Sequence, residues 1–546
     1  MLIAYPPENE YGNIEYKMKL IDKKEDRIQE IASQMRFRTY QGGGESIYVI
    51  GVADDGQLVG VDDDEFEESF CNLSLAAKEN SYTVTLLSAK SLPKTEKKVS
   101  TKKVYEVLVR EKNEQRYIDV KVTVAGSVDS GKSSLLGVLT TGKNDNGRGS
   151  VRLSIFNFKH EVISGRTSSV AHHILGFDST GQITNYTENS LDKKGWPEIV
   201  KDSSKIISFY DLCGHEKYLR TTILGLTSAY PDVCFILVGA NMGMSRVTKE
   251  HIFLCVTLNI PFAIVLTKID ICKNRKKVLE ETVISINKLL KIPGLRRIPY
   301  KINNMDDVVI CSKNIHSESV VPIFHVSNVT GQGINFVKQF LNLLGKSTVL
   351  SDSKGVEYHI NTTFSVSGVG TVVGGQLISG KITVGDKLLL GPTNGQYREI
   401  QVRSIHCKRV PLQSVSCGSY VCLGLRKIDR STIRRGHVII SKNCPTISVN
   451  EFDAEITILK THSTTIKLGY EPIIHTRTVR QTATLLSIKN KINARNVEKE
   501  CGYNSVLRTG DKATVTFRFR YRPEYVKKGS KLLICEGNVK LIGKVI

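Results

Sequence analysis

The 546 residues are too many for one hydrophobic core and predict four domains. With 40% hydrophobic residues, 24% charged residues and 14 prolines, the composition excludes a disordered or fibrous chain. The formal net charge of +22 exceeds what solubility requires and points to phosphate backbones or acidic partners.

The first residues, MLIAYPPENEYGNIEYK, lack the charged-then-apolar pattern of a signal peptide. Residues 1 to about 40 read as a polar, helix-forming start, with Ile21, Ile28, Ile31 and Met35 at helical spacing, closed by the loop QGGGES. SIYVIGVADDGQLVGV then reads as two strands joined at the Asp55-Gly56 turn. The acidic run Asp62 to Glu68 reads as a solvated helix start rather than a metal site, and KSLPKTEKKVSTKK as a surface hairpin or linker. Residues 1–120 sum to about −5 and residues 445–546 to about +9, so the positive excess lies beyond the first domain.

From Ile118 to about Leu344, β-branched strands alternate with helices. YIDVKVTVA, KIISFYD, VCFILVGA, FAIVLTK and IFHVS predict a doubly wound, mostly parallel sheet. Asn144 to Ser154, rich in glycine and asparagine, reads as a flexible insertion. Residues 355–546 are short strands between glycine-containing turns and predict two small β-barrels with a seam near Cys444-Pro445. Near the end, Arg518, Arg520 and Arg522 alternate with Phe517, Phe519 and Tyr521; that pattern serves a half-buried strand with a solvated face or an RNA contact equally well. No apolar run approaches the ~20 residues that span a bilayer. The twelve cysteines include no C-x-x-C pair, and they read as reduced, mostly buried thiols of a cytosolic protein.

The chemistry-bearing motifs fall within the alternating segment. Gly126-Ser127-Val128-Asp129-Ser130-Gly131-Lys132-Ser133, followed by Ser134, lies between a strand and a helix and matches G-x-x-x-x-G-K-[ST]. Its glycines let backbone N–H groups converge on phosphates, Lys132 reaches the β- and γ-phosphates, and the Ser133 hydroxyl ligates Mg²⁺. Phosphoryl transfer needs a second carboxylate directed at Mg²⁺; Asp211 closes IISFYD and opens Asp211-Leu212-Cys213-Gly214, followed by His215. Gly214 is spaced to offer its N–H to the γ-phosphate. Thr267-Lys268-Ile269-Asp270 ends the next strand but one. The Asp270 carboxylate can accept from guanine N1–H and the exocyclic amine, and adenine offers no such donor pair. The residue expected in place of Thr267 is Asn, and the change predicts a weaker side-chain tie to the phosphate loop. Ser327-Asn328, after the last strand, fits a loop at the base edge, and Thr167 in the GRTSS segment fits a switch that completes the Mg²⁺ shell.

Together these motifs and the two barrels resemble the translation-factor GTPases of the elongation factor Tu type, in particular the GTP-binding protein one and two subfamily. The likeness extends through HEVISGRTSSVAHHILGFD, DLCGHEKYLRTTILGLTSAYPD and SVSGVGTVVGGQLISGKITVGD. It implies that His215 orients the attacking water and that Asp129 and Lys132 join it in catalysis. Val128 becomes the apolar gate residue and Arg166 replaces its usual apolar partner. It also implies that the barrels contact ribosome and tRNA. The expected architecture is a small acidic α+β domain (1–115), an α/β P-loop GTPase domain (116–350) and two β-barrels (351–444 and 445–546). The expected protein is a cytoplasmic monomer, not bound to a membrane, that hydrolyses GTP with Mg²⁺ as a translation-factor-like switch on ribosome and tRNA complexes. The alternatives are a GTP-timed RNA- or ribosome-binding adaptor in mRNA surveillance or decay, and an ATP-using P-loop enzyme, against which the T-K-I-D segment argues.

Overall fold

A computed structural model of the chain describes all residues except 1–4, 93–101, 113–116, 157–160, 162–169, 187–193, 216–217, 274, 293–294, 318, 347–354, 460–464, 493–497, 500–505 and 537. Four strands form the first sheet: β1 (Ile14–Lys17), β2 (Glu45–Ile50), β3 (Tyr82–Ser91) and β4 (Lys103–Glu111), in the order β1-β2-β4-β3. Helices Glu25–Gln41 and Asp63–Glu79 cover one face, burying Ile28, Ile31 and Met35 against Tyr48, Leu73 and Val107. Ile21 precedes the first helix and is exposed. The acidic run opens the second helix: Asp62 accepts from the Glu65 N–H, Glu65 reaches back, and Asp63, Asp64 and Glu65 meet the positive end of the helix dipole. The hairpin expected at Asp55-Gly56 does not form. β2 gives one edge to β1 and the other to β4, leaving only an isolated bridge between Val52 and Leu58. KSLPKTEKKVSTKK instead joins β3 to β4, which pair antiparallel.

The second sheet holds β5 (Ile118–Gly126), β6 (Ala171–Phe177), β7 (Lys205–Asp211), β8 (Val233–Gly239), β9 (Phe262–Thr267), β10 (Ile298–Lys301) and β11 (Val320–His325). The order is β10-β11-β9-β8-β5-β7-β6, parallel throughout except for β6 against β7. The five strands buried on both faces are those legible in the sequence. The two edge strands are not, because β6 begins with the polar pair His172-His173 and β10 is short and half-exposed. Helices on both faces build two separate cores.

Two antiparallel barrels follow. Lys387–Thr393 pairs with both Gln396–Cys407 and Val438–Ile440, and Ile473–Thr476 with both Val479–Ile492 and Lys531–Glu536, so each sheet closes on itself. Arg518, Arg520 and Arg522 pair with Glu451, Glu471 and Glu524.

The lower end of the parallel sheet carries charges that join the bodies. Glu45 of β2 accepts from Lys205 Nζ of β7 at 2.7 Å and Arg110 Nη2 of β4 at 3.0 Å, and both cations are fully buried. Each also donates to the Asn342 carbonyl. Asp119 of β5 accepts from Lys408 of the first barrel at 2.7 Å, and Lys531 of the second donates to the Leu258 carbonyl at a helix end.

Removing Glu45 strands two buried cations. Glu45→Ala is therefore expected to cost about 3–5 kcal/mol, read as a lower urea midpoint; the same change at the exposed Glu451 should cost under about 1 kcal/mol. The pH profile offers a second check. Burial holds His172 and His325 down to about 4 and His251 and His437 down to about 3, below the ordinary histidine value. The unfolded chain then binds the extra protons between those values and about 6.5, so this stability is complete above pH ~6.5 and lost as pH falls toward 4. Thermal unfolding followed from pH 7 to 4 should show the fall, and His251→Gln should flatten it.

Candidate functional site

β5 ends at Gly126, and the chain folds back on itself before the helix Lys132–Thr141 begins. A side chain at Gly126, where φ is 144°, would meet the Leu237 carbonyl oxygen at 2.4 Å, so the first loop position admits only glycine. Asp129 at φ 58° makes a left-handed turn in the middle of the loop. Lys132 is buried and arches over the loop, its ammonium donating to the carbonyls of Ser127 at 2.7 Å and Gly126 at 3.1 Å. Burial lowers its pKa while the Asp211 charge opposes the shift. Ser130 is buried and donates to the Ser127 carbonyl; Ser127, Val128, Gly131, Ser133 and Ser134 are half-buried and Asp129 is exposed, leaving the rim open to a ligand.

Asp211, the last residue of β7, lies beside the helix start, and its Oδ2 accepts from the Ser133 hydroxyl at 2.7 Å. Two hard oxygen donors from different elements thus converge at the mouth of the loop. That donor set fits Mg²⁺, which favours a carboxylate, a hydroxyl, substrate phosphates and water over an all-protein cage. No group of three His, Cys, Asp or Glu suited to a metal occurs among the described residues. At Gly214 a Cβ would lie 2.4 Å from Lys132 Nζ and 2.9 Å from the Gly126 oxygen, so this segment passes against the loop only as glycine. Leu212 and Cys213, expected among the nucleotide contacts, turn their side chains into the core, and the Leu212 N–H is donated to the Val124 carbonyl at 3.0 Å. Burial pushes the Cys213 thiol up to about 12. His215 stands exposed, its ring edge-on to Tyr218. Gly165, Arg166 and Thr167 lie outside the described residues.

The base-reading loops are tied to the phosphate loop. Thr267 Oγ1, fully buried, donates to the Ser130 carbonyl at 2.7 Å, so the departure from Asn keeps the tie that was expected to weaken. Lys268 follows at φ 60°, and Ile269 contributes its apolar side chain to the packing beneath. Asp270 accepts from the buried Ser327 hydroxyl at 2.6 Å, and Ser327 Oγ accepts in turn from the N–H of Thr330 at 3.1 Å. Ser327 therefore acts through its side chain, holding the carboxylate in place. Asn328 is buried beside Gly131.

Two contributors escape sequence reasoning. The segment read as a flexible insertion is ordered: the Asp145 N–H donates to the Asn328 carbonyl, and its carboxylate accepts from the N–H of Gly149 and Val151, buttressing the base loop. Its turn residues could have signalled this. His251 is buried in helix Arg246–Thr257 and held to about 3 by burial and then by the Lys132 charge. A lone histidine in an amphipathic helix carries no such signal.

Comparisons with known proteins cover most of the chain. The model of the elongation factor Tu GTP binding domain matches residues 119–355, that of elongation factor Tu domain 2 residues 370–440, and that of its C-terminal domain residues 445–541. The chain is 42% identical to GTP-binding protein 1 of Xenopus laevis over 531 residues, 97% of this chain and 78% of that protein. It is 41% identical to GTP-binding protein 2 of Homo sapiens over 548 residues, 99% and 87% of the two. The crystal structure of translation elongation factor SelB from Methanococcus maripaludis with the GTP analogue GppNHp superposes with a TM-score of 0.55 at 18% identity over 79% of each chain, a likeness of fold.

Ser327→Ala should free the Asp270 carboxylate and weaken guanine-nucleotide binding about tenfold, the worth of one hydrogen bond to a charged group. Titration of a fluorescent GDP against both chains measures it; unchanged affinity would remove Ser327 from the site.

Proposed function

This chain belongs to the elongation factor Tu family of GTP-binding proteins, and from that premise we propose that its GTP cycle acts on ribosome and tRNA complexes in the cytoplasm, with Mg²⁺ as the metal. As a translation-factor-like GTPase it binds GTP and hydrolyses it to GDP and phosphate. The observation that carries the reading is the Thr267–Ser130 hydrogen bond of 2.7 Å, which couples the base-reading carboxylate of Asp270 to the phosphate loop within one motor that two closed barrels follow.

In the proposed cycle, the guanine edge gives its two N–H donors to Asp270 while Ser327 fixes the carboxylate, and Lys268 lies along the ring. The loop amides and Lys132 take the β- and γ-phosphates, Lys132 exchanging the Gly126 and Ser127 carbonyls for phosphate oxygens. Mg²⁺, held by Ser133, Asp211 and Thr167, would neutralise the charge that develops on the phosphates. The Gly214 N–H senses the γ-phosphate. His215 positions the attacking water, Val128 shields it from one side, and Asp129 and Lys132 complete the catalytic electrostatics. Loss of the γ-phosphate removes the ligand of Gly214 and lets the following segment move.

For the partners, the support is the basic excess after the first domain and membership of a family that includes elongation factors. Arg518 and Arg520 are ion-paired with exposed glutamates, and such pairs are worth under about 1 kcal/mol, so a polyanion can displace Glu451 and Glu471, whereas Arg522 pairs with the buried Glu524. The second reading, a GTP-timed adaptor on RNA or ribosomes, draws on the same pairing, which also suits a carboxylate-bearing protein partner. The ten described cysteines are all free thiols, and no described helix is long and apolar enough to cross a membrane.

His215→Ala should lower single-turnover GTP hydrolysis by about 10²–10⁴-fold while GTP affinity stays within about twofold. Measured with and without ribosomes carrying aminoacyl-tRNA, hydrolysis by the unaltered chain should rise with the full complex. RNA binding indifferent to nucleotide, with no rise in hydrolysis, would favour the adaptor.

A further inference from the structure

At the end of the parallel sheet opposite the phosphate loop, the first sheet, the GTPase domain and the first barrel enclose a cavity of about 440 Å³. That size and that position between bodies are those of small-ligand sites. Ile14 of β1, Leu343 of the GTPase domain and Ile378 of the barrel give it an apolar wall, one residue from each body.

The charges on the remaining wall do not cancel. Asp119 lines the cavity, but its two oxygens are taken by Lys408 at 2.7 Å and Ser208 Oγ at 2.6 Å. Glu45 lines it too, saturated by Lys205 and Arg110, and Lys313 is held by Glu106 at 2.9 Å. Two lysines remain. Lys121 of β5 is 4% exposed, and its ammonium makes no hydrogen bond or ion pair within 4 Å among the described residues. Lys346, on the exposed rim, makes none either; around Lys121 the attraction of Asp119 and Asp232 outweighs the repulsion of Lys408 and Lys346. Asp232, which accepts the Lys121 backbone N–H at 2.8 Å, offsets one of the two charges. Gln376 of the barrel, 1% exposed, also lines the cavity and has a buried amide oxygen without a partner. An ammonium and an amide are costly to bury unsatisfied, and with Asp119 and Glu45 already satisfied and Asp232 offsetting one lysine, the other leaves the space a receptor for an anion.

We propose that this cavity binds a small organic anion, with its phosphate or carboxylate head between Lys121 and Lys346, a hydroxyl or amine donating to Gln376, and its body on the wall of Ile14, Leu343 and Ile378. The site is separate from the nucleotide pocket, and its occupant touches all three bodies, so it ties the N-terminal domain and first barrel to the motor.

The test uses the full chain saturated with GDP, so that no probe can act through the phosphate loop. Inorganic phosphate, glycerol 3-phosphate and citrate are titrated by calorimetry and by thermal unfolding; the first two report a phosphate head and the third a carboxylate head. At least one probe should bind saturably and raise the unfolding temperature. Lys121→Met and Lys346→Glu should each weaken that binding at least about tenfold and leave GDP affinity unchanged. Should Lys121→Met fail to fold, Lys346→Glu on the exposed rim decides alone. Absence of saturable binding by all three probes, or binding that survives Lys346→Glu, overturns the proposal; a loss of GDP affinity in the unaltered chain would instead count against the GTPase reading.

Discussion

Glu45 holds two fully buried cations, Lys205 from the GTPase sheet and Arg110 from the N-terminal sheet, and on that one carboxylate the joining of the two bodies depends. Burying three charges is expensive, and the Coulombic return is adequate only because the geometry is short and the remaining donors find carbonyls at Asn342 and Asp178. An apolar contact of equal area would tolerate sliding. A carboxylate shared between two cations on different sheets has one arrangement, so the N-terminal domain is registered against β7 at a fixed angle. Glu106 repeats the device nearby with Lys90 and Lys313, which overcome burial and draw its pKa down to about 2.

The same sheet therefore works from both ends. At the C-terminal ends of β5, β7 and β9 lie Gly126 of the phosphate loop, Asp211, which accepts from Ser133, and Thr267, which donates to Ser130. At the opposite ends lie Asp119, Lys121 and Lys205, the charges that meet the N-terminal domain and the first barrel. Parallel strands make this division natural: their C-terminal ends gather loops around a ligand, and the other end is left for structural contacts. A shift of β5 or β7 along its axis would be felt at both ends, which gives the motor a rigid path to its attached bodies.

How much of this could be read from the sequence follows from the range of each interaction. The phosphate loop, Asp211, Gly214 and Asp270 were legible because phosphate and guanine chemistry demands particular residue types within a few positions, and the five central strands because both of their faces are buried. The edge strand with His172 was not, since a polar start hides its pattern. Glu45 and Lys205 lie 160 residues apart, and nothing local marks either as a partner. The hairpin at Asp55-Gly56 shows the converse error: the turn signal was sound, but both edges of β2 were already taken by strands the local pattern could not weigh. Asp145 misled in a third way, since its glycines and asparagines suit a mobile loop and a tightly hydrogen-bonded turn alike.

Hydrogen bonds within the site bear on how strongly a nucleotide can be held. Lys132 donates to the Gly126 and Ser127 carbonyls, Ser133 to Asp211, and Ser327 to Asp270. Lys132 and Ser133 are also the groups that phosphate chemistry requires, so ligand binding exchanges their hydrogen bonds instead of creating them from solvated groups. Such exchanges are nearly neutral when both partners are uncharged and favourable when the new one is ionised. The net gain then concentrates where a neutral carbonyl gives way to a phosphate oxygen, at Lys132, whose ammonium is buried where Coulomb attraction is weakly screened. Ser327 differs in kind: it need not leave Asp270, since a carboxylate can accept from the serine and from guanine at once. The base loop is thus set before the nucleotide arrives, and the phosphate loop is the part that must rearrange.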